Sequence, residues 1–372
     1  MPQRFSAQLG RLTLATATSL ALGWSCSFCI AKPLAPAAIH APWSAQATTI
    51  VDTEEKAFQS ADTTLKGTLY LPHGGHGFAA VVVTHGASSP LRTSPLYEHL
   101  KEMLPTLGIA VFVYDRRGSG SSGGNLETSD YDLLADDAVA AVRMLKADPR
   151  IDPKRVGVWG LSQGGWLSLL AAARSAEVSF VVSISAPVVT PDVQMMFSSE
   201  NSLLVNGYSP TDIGRMRATR KAVDDYMRGT GDRATAQRLV DAAKVKPWFK
   251  YLYMAETVGD RGTSRWRKEI EHDPLATLKA VSVPSLVMYG AADPVVPVAA
   301  SIERLKPLTG KLRSTEIVVI AGADHGMQTT VDPKDLLNPA HADAEKPDSS
   351  AYFAVLARWL TVHGLTQGIK PE

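Results

Sequence analysis

One stretch constrains the fold of this chain more than any other: residues 156–173, which read VGVWGLSQGGWLSLLAAA. An apolar run ends at Gly160, Ser162 lies at the centre of a Gly-Leu-Ser-Gln-Gly corner, and an apolar helix follows. A strand that turns this abruptly into a helix leaves no room for bulky residues two positions either side of the serine, which explains Gly160 and Gly164. The corner projects the serine hydroxyl beside the unpaired N–H groups of the helix N-terminus. We therefore predict that Ser162 is a catalytic nucleophile.

A serine hydroxyl is a poor nucleophile without a neighbouring base, and the sequence supplies a candidate. His325, in AGADHGM, follows the last predicted strand, and Asp293, in GAADPVVP, follows the strand before it. This order of Ser, Asp and His is the one that accompanies such a corner. We expect His325 to take the proton of Ser162, while Asp293 orients the imidazole and stabilises its charged form. Asp324 is expected to serve its own loop, and Asp192 is the second-choice acid.

An oxyanion hole needs two backbone donors near the nucleophile. One is expected to be the N–H of Gln163, the residue after the serine. The other is expected to be the N–H of Ala87, in the loop that follows the apolar run AVVVTHG. Gly86 allows the backbone of that loop to approach closely. His85 is expected to support the loop rather than to take part in the chemistry.

Strand-like and helix-like segments alternate along most of the chain. Eight segments have the apolar pattern of strands: ATTIVDTEEKAF, TLKGTLYLP, FAAVVVTHG, GIAVFVYDRRG, PKRVGVWG, VSFVVSISAP, VPSLVMYG and STEIVVIAG. Residues 97–107, 131–146 and 351–363 have helical spacing of apolar residues. This alternation predicts an α/β fold, with a mostly parallel eight-stranded sheet and helices on both of its faces. The first two strands are expected to form a hairpin.

Residues 188–272 interrupt the alternation, because no clear buried strand lies there. We expect a helical cap, inserted after the sixth strand, while residues 48–187 and 273–372 form the core. Such an insertion lies above the carboxyl edge of the sheet, where open α/β sheets bind ligands. An extra helical layer remote from the site is the alternative. Six apolar side chains are candidates for an acyl pocket, with packing of the cap as the alternative role: Met195, Met196, Phe197, Trp248, Phe249 and Tyr251.

The N-terminal residues 1–47 differ in composition from the rest of the chain. Two arginines precede a mostly apolar stretch, 12–24, and Ala/Pro-rich sequence follows it. This pattern is typical of a secretory signal peptide, and a disordered tail is the alternative. The apolar stretch is too short to span a bilayer comfortably, so we expect no membrane span in the mature protein. A lipoprotein anchor at Cys26 is a further alternative, but bulky Trp24 argues against it. The prediction is export to the periplasm or the medium.

Composition argues against several classes of partner. The formal net charge of the 372 residues is +1, and Lys and Arg form only short pairs. A surface for nucleic acid or anionic membrane is therefore not expected. His73 and His76 are expected in a turn rather than in a metal site. We expect no metal and no cofactor, and the sequence does not indicate the oligomeric state.

The segments THGASS, YDRRGSGSSGG, DPKRVGVWGLSQGGW, YGAADPVVP and GADHGM together resemble the α/β-hydrolase superfamily. The likeness runs from about Thr64 to the C-terminus, apart from the capping interval. Within that superfamily the chain is similar to bacterial secreted carboxylesterases related to dienelactone hydrolase and prolyl oligopeptidase catalytic domains. The resemblance implies a serine esterase that acts on a small-molecule ester through an acyl-enzyme. It also implies a structural loop beside the site, formed by Asp115, Arg117, Gly118, Gly120 and Ser122.

The sequence departs from related families at several points. Gln163 stands where many esterases of this branch have an acid, and His85-Gly86-Ala87-Ser88 replaces the HGGG loop of lipases. A thiol-dependent dienelactone hydrolase would have cysteine at position 162. Two other functions stay open as alternatives. One is an amidase or peptidase of the prolyl oligopeptidase-like type with the same triad, and the other is a non-catalytic ligand-binding protein with this fold.

Overall fold

The computed structural model describes residues 50–329, 332–338 and 347–367, so the predicted leader lies outside the described residues. Its strands are β1 (Val51–Ser60), β2 (Thr63–Pro72), β3 (Phe78–Thr84), β4 (Ile109–Tyr114), β5 (Ile151–Leu161), β6 (Val181–Ile184), β7 (Ser285–Gly290) and β8 (Thr315–Ile320). Within the described chain they form one sheet in the order β1-β2-β4-β3-β5-β6-β7-β8. β1 pairs antiparallel with β2, and β2 with β4, whereas all further neighbours are parallel. The predicted mostly parallel eight-stranded sheet is confirmed.

Ten α-helices accompany the sheet in the described residues. They are α1 (Glu98–Thr106), α2 (Tyr131–Lys146), α3 (Gln163–Arg174), α4 (Pro191–Val205), α5 (Pro210–Arg228), α6 (Arg233–Lys244), α7 (Arg265–Ile270), α8 (Pro274–Ala280), α9 (Val298–Leu305) and α10 (Ser350–Val362). The predicted bounds of α2 are confirmed to the residue. No helix in the described ranges combines the length and the apolar character that a membrane crossing requires.

Helices cover both faces of the sheet because successive strand residues point to opposite sides. In β3, Ala80 and Val82 belong to a core cluster that includes residues of α2, α3, α8 and α9. Val81 and Val83, on the other face, belong to a cluster that includes residues of α1 and α10. β3 is buried along its whole length, as the continuous apolar run FAAVVVT predicts for a strand between two helical layers.

Every element between β6 and β7, an interval that the structure describes in full, is helical. The helices α4–α7 have apolar clusters of their own, one of which contains Leu203, Met216 and Trp248. A second cluster joins α5 and α6 through Val223 and Val240. Helical packing within this interval therefore buries part of its apolar surface, while other large apolar side chains are exposed: Val193, Leu204, Val245 and Tyr253. A cap over the site at 188–272, as opposed to a helical layer remote from the site, stays a prediction.

Candidate active site

Ser162 occupies a sharp corner between β5 and α3. Its φ is 59° and its ψ is −123°, a backbone conformation that few residues other than glycine adopt. The N–H of Ser162 donates to the carbonyl of Ile184 at the end of β6 (2.8 Å), which ties the corner to the neighbouring strand. Strained backbone of this kind persists where the surrounding structure enforces it, and it clusters at functional sites.

The glycines beside Ser162 are required by close backbone contacts. A Cβ at Gly160 would collide with the backbone of Gly164 and with the hydroxyl of Thr84. A Cβ at Gly164 would collide with the carbonyl of Thr84, at the end of β3. The strand, the helix and the end of β3 therefore approach each other more closely than any side chain would allow.

Asp293 and His325 lie on the loops that follow β7 and β8. His325 Nδ1 is 2.8 Å from Asp293 Oδ2. The other oxygen, Oδ1, accepts hydrogen bonds from the N–H groups of Val295 (2.7 Å) and Val296 (3.0 Å). The Asp293 side chain is fully buried and that of His325 is 14% exposed. Asp293 is thus fixed by its own loop, and it directs the imidazole through Nδ1.

The loops of Asp293 and His325 are also in direct contact. A Cβ at Gly290, the last residue of β7, would collide with the carbonyl oxygens of Ala323 and Asp324. Asp324 Oδ1 accepts hydrogen bonds from Gly326 N (2.9 Å) and Gln328 N (3.0 Å), so this carboxylate serves the turn that carries the histidine.

The protonation of His325 depends on opposing effects. Burial is the largest single effect and lowers the pKa of the imidazole. The charge of Asp293, its hydrogen bond and the charge of Asp324 act in the opposite direction, and together they raise the pKa above its ordinary value. The imidazolium that forms when His325 accepts a proton is therefore stabilised. An Nδ1–H that donates to Asp293 leaves Nε2 as the acceptor.

Ser162, Asp293 and His325 all lie past the carboxyl ends of parallel strands β5, β7 and β8, at one edge of the sheet. Among the described residues, a hydrogen bond joins Asp293 to His325, and none joins His325 to Ser162 Oγ. Hydrogen bonds of a catalytic base are often long in an unliganded enzyme and shorten when substrate binds. The triad of Ser162, Asp293 and His325 stays a prediction. Two of its members, Asp293 and His325, are joined by a hydrogen bond.

The two predicted oxyanion donors belong to adjoining segments. Gln163 begins α3, and Ala87 lies in the exposed loop after β3, the strand that pairs with β5. A Cβ at Gly86 would lie 3.6 Å from the carbonyl oxygen of Leu161, so the loop lies against the corner. Within the described chain, no hydrogen bond uses the N–H of Ala87 or of Gln163. Both groups are therefore free to donate to an oxyanion.

His85 supports the loop that carries Ala87. Its side chain is buried, Nε2 donates to the carbonyl of Tyr114 (2.5 Å), and its ring lies edge-on to Tyr97 and Tyr114. Burial lowers the pKa of His85 to about 3. The imidazole is therefore neutral near pH 7 and holds the loop, as the sequence predicts.

The segment after β4 forms a loop held by polar contacts within itself and to neighbouring segments. Asp115 accepts from the N–H groups of Arg92 (3.0 Å) and Ser121 (2.9 Å), and Ser122 Oγ donates to the Asp115 carbonyl (2.5 Å). Arg117 makes a two-pronged ion pair with the buried carboxylate of Asp137 (2.6 and 3.0 Å). Gly118 and Gly120, the glycines of this loop, have φ of 72° and 53°.

Arg116, which no sequence motif singles out, also contacts the segments that carry Ala87 and Gln163. Its guanidinium donates to Gln163 Oε1 (3.0 Å) and to the carbonyl of Ala87 (3.1 Å). The sequence signal for Arg116 is its position two residues past the end of β4, a strand whose carboxyl end lies at the same edge of the sheet as Ser162. Arg116 and Arg117 are both buried, and the sequence does not reveal which partners each one meets. Arg116 meets carbonyl groups about 30 residues earlier in the chain, whereas Arg117 meets Asp137.

The second-choice acid and the candidate pocket residues have other partners. Asp192 pairs with Arg228 (2.7 Å) within the inserted helices. Trp248 and Tyr251 are buried in the cluster that α4–α6 and the following turn share, and this packing accounts for them without a ligand. Met196 and Phe249 pack against that cluster, while Met195 and Phe197 are partly buried. Their contact with a substrate stays a prediction.

Comparison with known proteins shows that this chain is similar to hydrolases. A family model described as "Alpha/beta hydrolase family" matches residues 81–339. Thiohydrolase apmlB of Arthrinium phaeospermum is 34% identical over 139 residues, which cover 36% of this chain and 44% of the relative. The AB hydrolase superfamily protein YisY of Bacillus subtilis is 26% identical over 264 residues, or 70% of this chain and 89% of the relative.

The chain spans about half the length of the first curated relatives that it matches, from 44% to 52%. Among solved structures, the Pyrococcus furiosus esterase Pf2001 aligns with a TM-score of 0.52 and 16% identity. The alignment covers 83% of this chain and 91% of the esterase. At this identity the likeness concerns the fold alone.

Proposed function

Because the chain belongs to the alpha/beta hydrolase family, we propose that it is a serine hydrolase that cleaves carboxylic esters of small molecules. The observation that carries the proposal is the hydrogen bond between Asp293 and His325 at the sheet edge where Ser162 occupies its strained corner. The two free N–H groups of Ala87 and Gln163 support it, because ester hydrolysis passes through an oxyanion.

In the proposed reaction, Ser162 Oγ attacks the ester carbonyl while His325 Nε2 takes its proton. The carbonyl oxygen becomes an oxyanion held by Gln163 N–H and Ala87 N–H. When the tetrahedral intermediate collapses, the ester C–O bond breaks and His325 gives its proton to the departing alcohol. Water, activated by His325, then attacks the acyl-enzyme, which releases the carboxylic acid and restores Ser162.

Acyl thioesters are the second candidate substrate class. Two of the curated relatives are named thiohydrolases, apmlB and aneE. A thioester reacts through the same acyl-enzyme and oxyanion, and only the leaving group changes. Amide or peptide bonds are the further alternative, and a non-catalytic binding protein is the remaining one.

Covalent labelling and turnover separate these alternatives. A fluorophosphonate probe is expected to label the wild-type protein and Ser175→Ala, a serine at the far end of α3, but not Ser162→Ala. Parallel assays then compare p-nitrophenyl esters, acyl thioesters and aminoacyl p-nitroanilides. Ester turnover that exceeds the other two supports the proposal. Dominant thioester or anilide turnover would change the substrate class, and an unlabelled, inactive wild type would favour a binding protein.

We propose further that the N-terminal segment directs export of the protein. The basis is the sequence pattern of residues 1–47, a basic start followed by an apolar run and small residues. Mass spectrometry of the protein recovered from a periplasmic or culture fraction is expected to find this segment removed. A protein that retains residue 1 and stays with the cytoplasmic fraction would contradict export.

A further inference from the structure

One guanidinium joins the two backbone segments that carry the proposed oxyanion donors. Arg116 lies two residues past the end of β4 and is 4% exposed. Nη1 donates to the Gly86 carbonyl (3.4 Å) and to Gln163 Oε1 (3.0 Å), and Nη2 donates to the Ala87 carbonyl (3.1 Å). Arg116 thus bridges the loop after β3 and the start of α3.

The bond to Gly86 bears directly on the oxyanion hole. The carbonyl of Gly86 and the N–H of Ala87 belong to one planar peptide group and point in opposite directions. A donor that holds the carbonyl therefore sets the direction of the N–H. The N–H of Ser89 also donates to this carbonyl (3.2 Å), so it is held from two sides. A positive charge at the carbonyl further polarises the peptide and strengthens its N–H as a donor.

The electrostatic surroundings indicate that Arg116 has more than a packing role. Burying a cation is costly unless polar groups compensate for the lost water. In the described part of the chain, no carboxylate lies within 4.0 Å of its guanidinium; the nearby Glu269 of α7 pairs instead with Arg265 (3.0 Å). Its hydrogen bonds go to uncharged groups, namely the Gly86 and Ala87 carbonyls and the Gln163 side chain. The chain keeps a buried cation whose hydrogen-bond partners lie at the proposed oxyanion site.

We propose that Arg116 is a positioning residue of the oxyanion hole. It orients the Ala87 N–H through the Gly86 carbonyl and ties this loop to the start of α3 through Gln163 Oε1. This inference rests on the proposed esterase function. Arg116 does not touch the substrate; it acts through the peptide group that does.

Two substitutions of Arg116 test the proposal against a matched control. Arg116→Met removes the charge and all three hydrogen bonds, while Arg116→Lys keeps the charge but cannot make the same set of bonds. Arg155→Met is the control, because Arg155 also donates to backbone carbonyls, those of Gly364 (3.0 Å) and Gly77. These contacts lie near the amino ends of β3 and β5, whereas the proposed site lies at the carboxyl ends of these strands. Circular dichroism and thermal unfolding show whether each variant folds.

The readouts are kcat and KM for p-nitrophenyl butyrate, and inhibition by an aryl trifluoromethyl ketone, which forms a tetrahedral oxyanion on the serine. For Arg116→Met we expect kcat to fall about 10- to 100-fold, below the loss for deletion of a donor. KM should stay within about threefold, since ground-state binding is untouched. Inhibition should weaken by a factor similar to that in kcat. Arg116→Lys should be intermediate, and Arg155→Met should match the wild type.

Several outcomes would overturn the inference. Wild-type kcat and inhibition in folded Arg116→Met would exclude a positioning role, and so would a rise in KM alone. If Arg116→Met does not fold, Arg116→Lys decides by the same criteria. A wild-type protein that neither hydrolyses esters nor reacts with fluorophosphonate would refute the proposed function itself. An active wild type whose Arg116 variants retain full activity would instead refute only the role of Arg116 and leave the proposed function standing.

Discussion

His325 Nδ1 lies 2.8 Å from Asp293 Oδ2, and this contact joins the loops that follow the neighbouring parallel strands β7 and β8. The two residues are 32 positions apart in the sequence. The carboxylate is fixed by two backbone N–H groups of its own loop, so the imidazole is the partner whose position it determines.

Replacing His325 by alanine is expected to remove the base without unfolding the protein, because the side chain is partly exposed on a loop. We expect kcat for a p-nitrophenyl ester to fall at least about 10³-fold, as triad members act together. Steady-state kinetics and a thermal unfolding curve measure the two effects. An activity close to that of the wild type would place the base elsewhere.

Asp293→Asn is expected to lower kcat by about 10⁴-fold, because the amide favours the wrong tautomer of His325. The charge of Asp293 also raises the pKa of the imidazole, so its loss should lower that pKa. His325 acts as a base only when neutral, and activity rises as pH passes its pKa. The acidic limb of the pH–kcat/KM profile should therefore move to lower pH.

Asp192→Asn is the matched control for Asp293→Asn, because Asp192 is the second-choice acid of the sequence. Asp192 pairs with Arg228 rather than with the histidine, so kcat should change by less than about threefold. A large loss of activity in Asp192→Asn, with little loss in Asp293→Asn, would reverse the assignment of the acid.

Glu269 is expected to make stability depend on pH. Burial of this side chain, only partly offset by Arg265 and Arg116, raises the pKa of the carboxyl from 4.5 to about 7. A raised pKa means that the folded protein holds the proton more tightly than the unfolded chain. Its contribution to stability is therefore complete below pH 4.5 and is lost as pH rises through about 7. The shift corresponds to a contribution on the order of 3 kcal/mol.

Denaturant unfolding of the wild type and of Glu269→Gln at several pH values measures this effect. The stability of the wild type relative to Glu269→Gln should fall by that amount between pH 4.5 and 8. Glu271→Gln, which changes an exposed glutamate two residues away, is the control. A difference between wild type and Glu269→Gln that does not vary with pH would contradict the raised pKa.

Gly160→Ala is expected to destabilise the corner at Ser162, because its Cβ would collide with the backbone of Gly164, which cannot rotate away. We expect a loss of about 1–3 kcal/mol in the free energy of unfolding, together with loss of activity. Gly214→Ala is the control, since Gly214 lies in α5 and, apart from its chain neighbours and the nearby backbone of that helix, no atom lies within 4 Å of the added methyl group. That substitution should be neutral or stabilising by up to about 1 kcal/mol. Equal stability of the two variants would contradict the crowding at the corner.

Sequence patterns were sufficient for the strands, the main helices and the glycine–serine corner, because each depends on local information. The apolar run of β3 indicates burial on both faces, and the glycines around Ser162 indicate a tight turn whatever the rest of the chain does. The order Ser162, Asp293, His325, combined with strand ends, was enough to propose which side chains share an edge. The pairing of Asp293 with His325 in the structure agrees with that choice.

Other features depended on contacts between distant segments, which no local pattern encodes. The insertion of β4 between β2 and β3 in the sheet is one example. The inward turn of Arg116 is another, because its partners lie 29 to 47 residues away in the sequence. Likewise, the sequence made Trp248 and Tyr251 candidates for a pocket because they are apolar and lie in the inserted interval. Only the packing of several helices decides which apolar residues of that interval are buried in a core. The sequence by itself therefore determined the main elements and supplied the candidate reactive groups, since backbone sterics and hydrophobic periodicity act over a few residues. Tertiary structure alone decided which carbonyls and carboxylates surround those groups, because electrostatic partners are set by proximity in space.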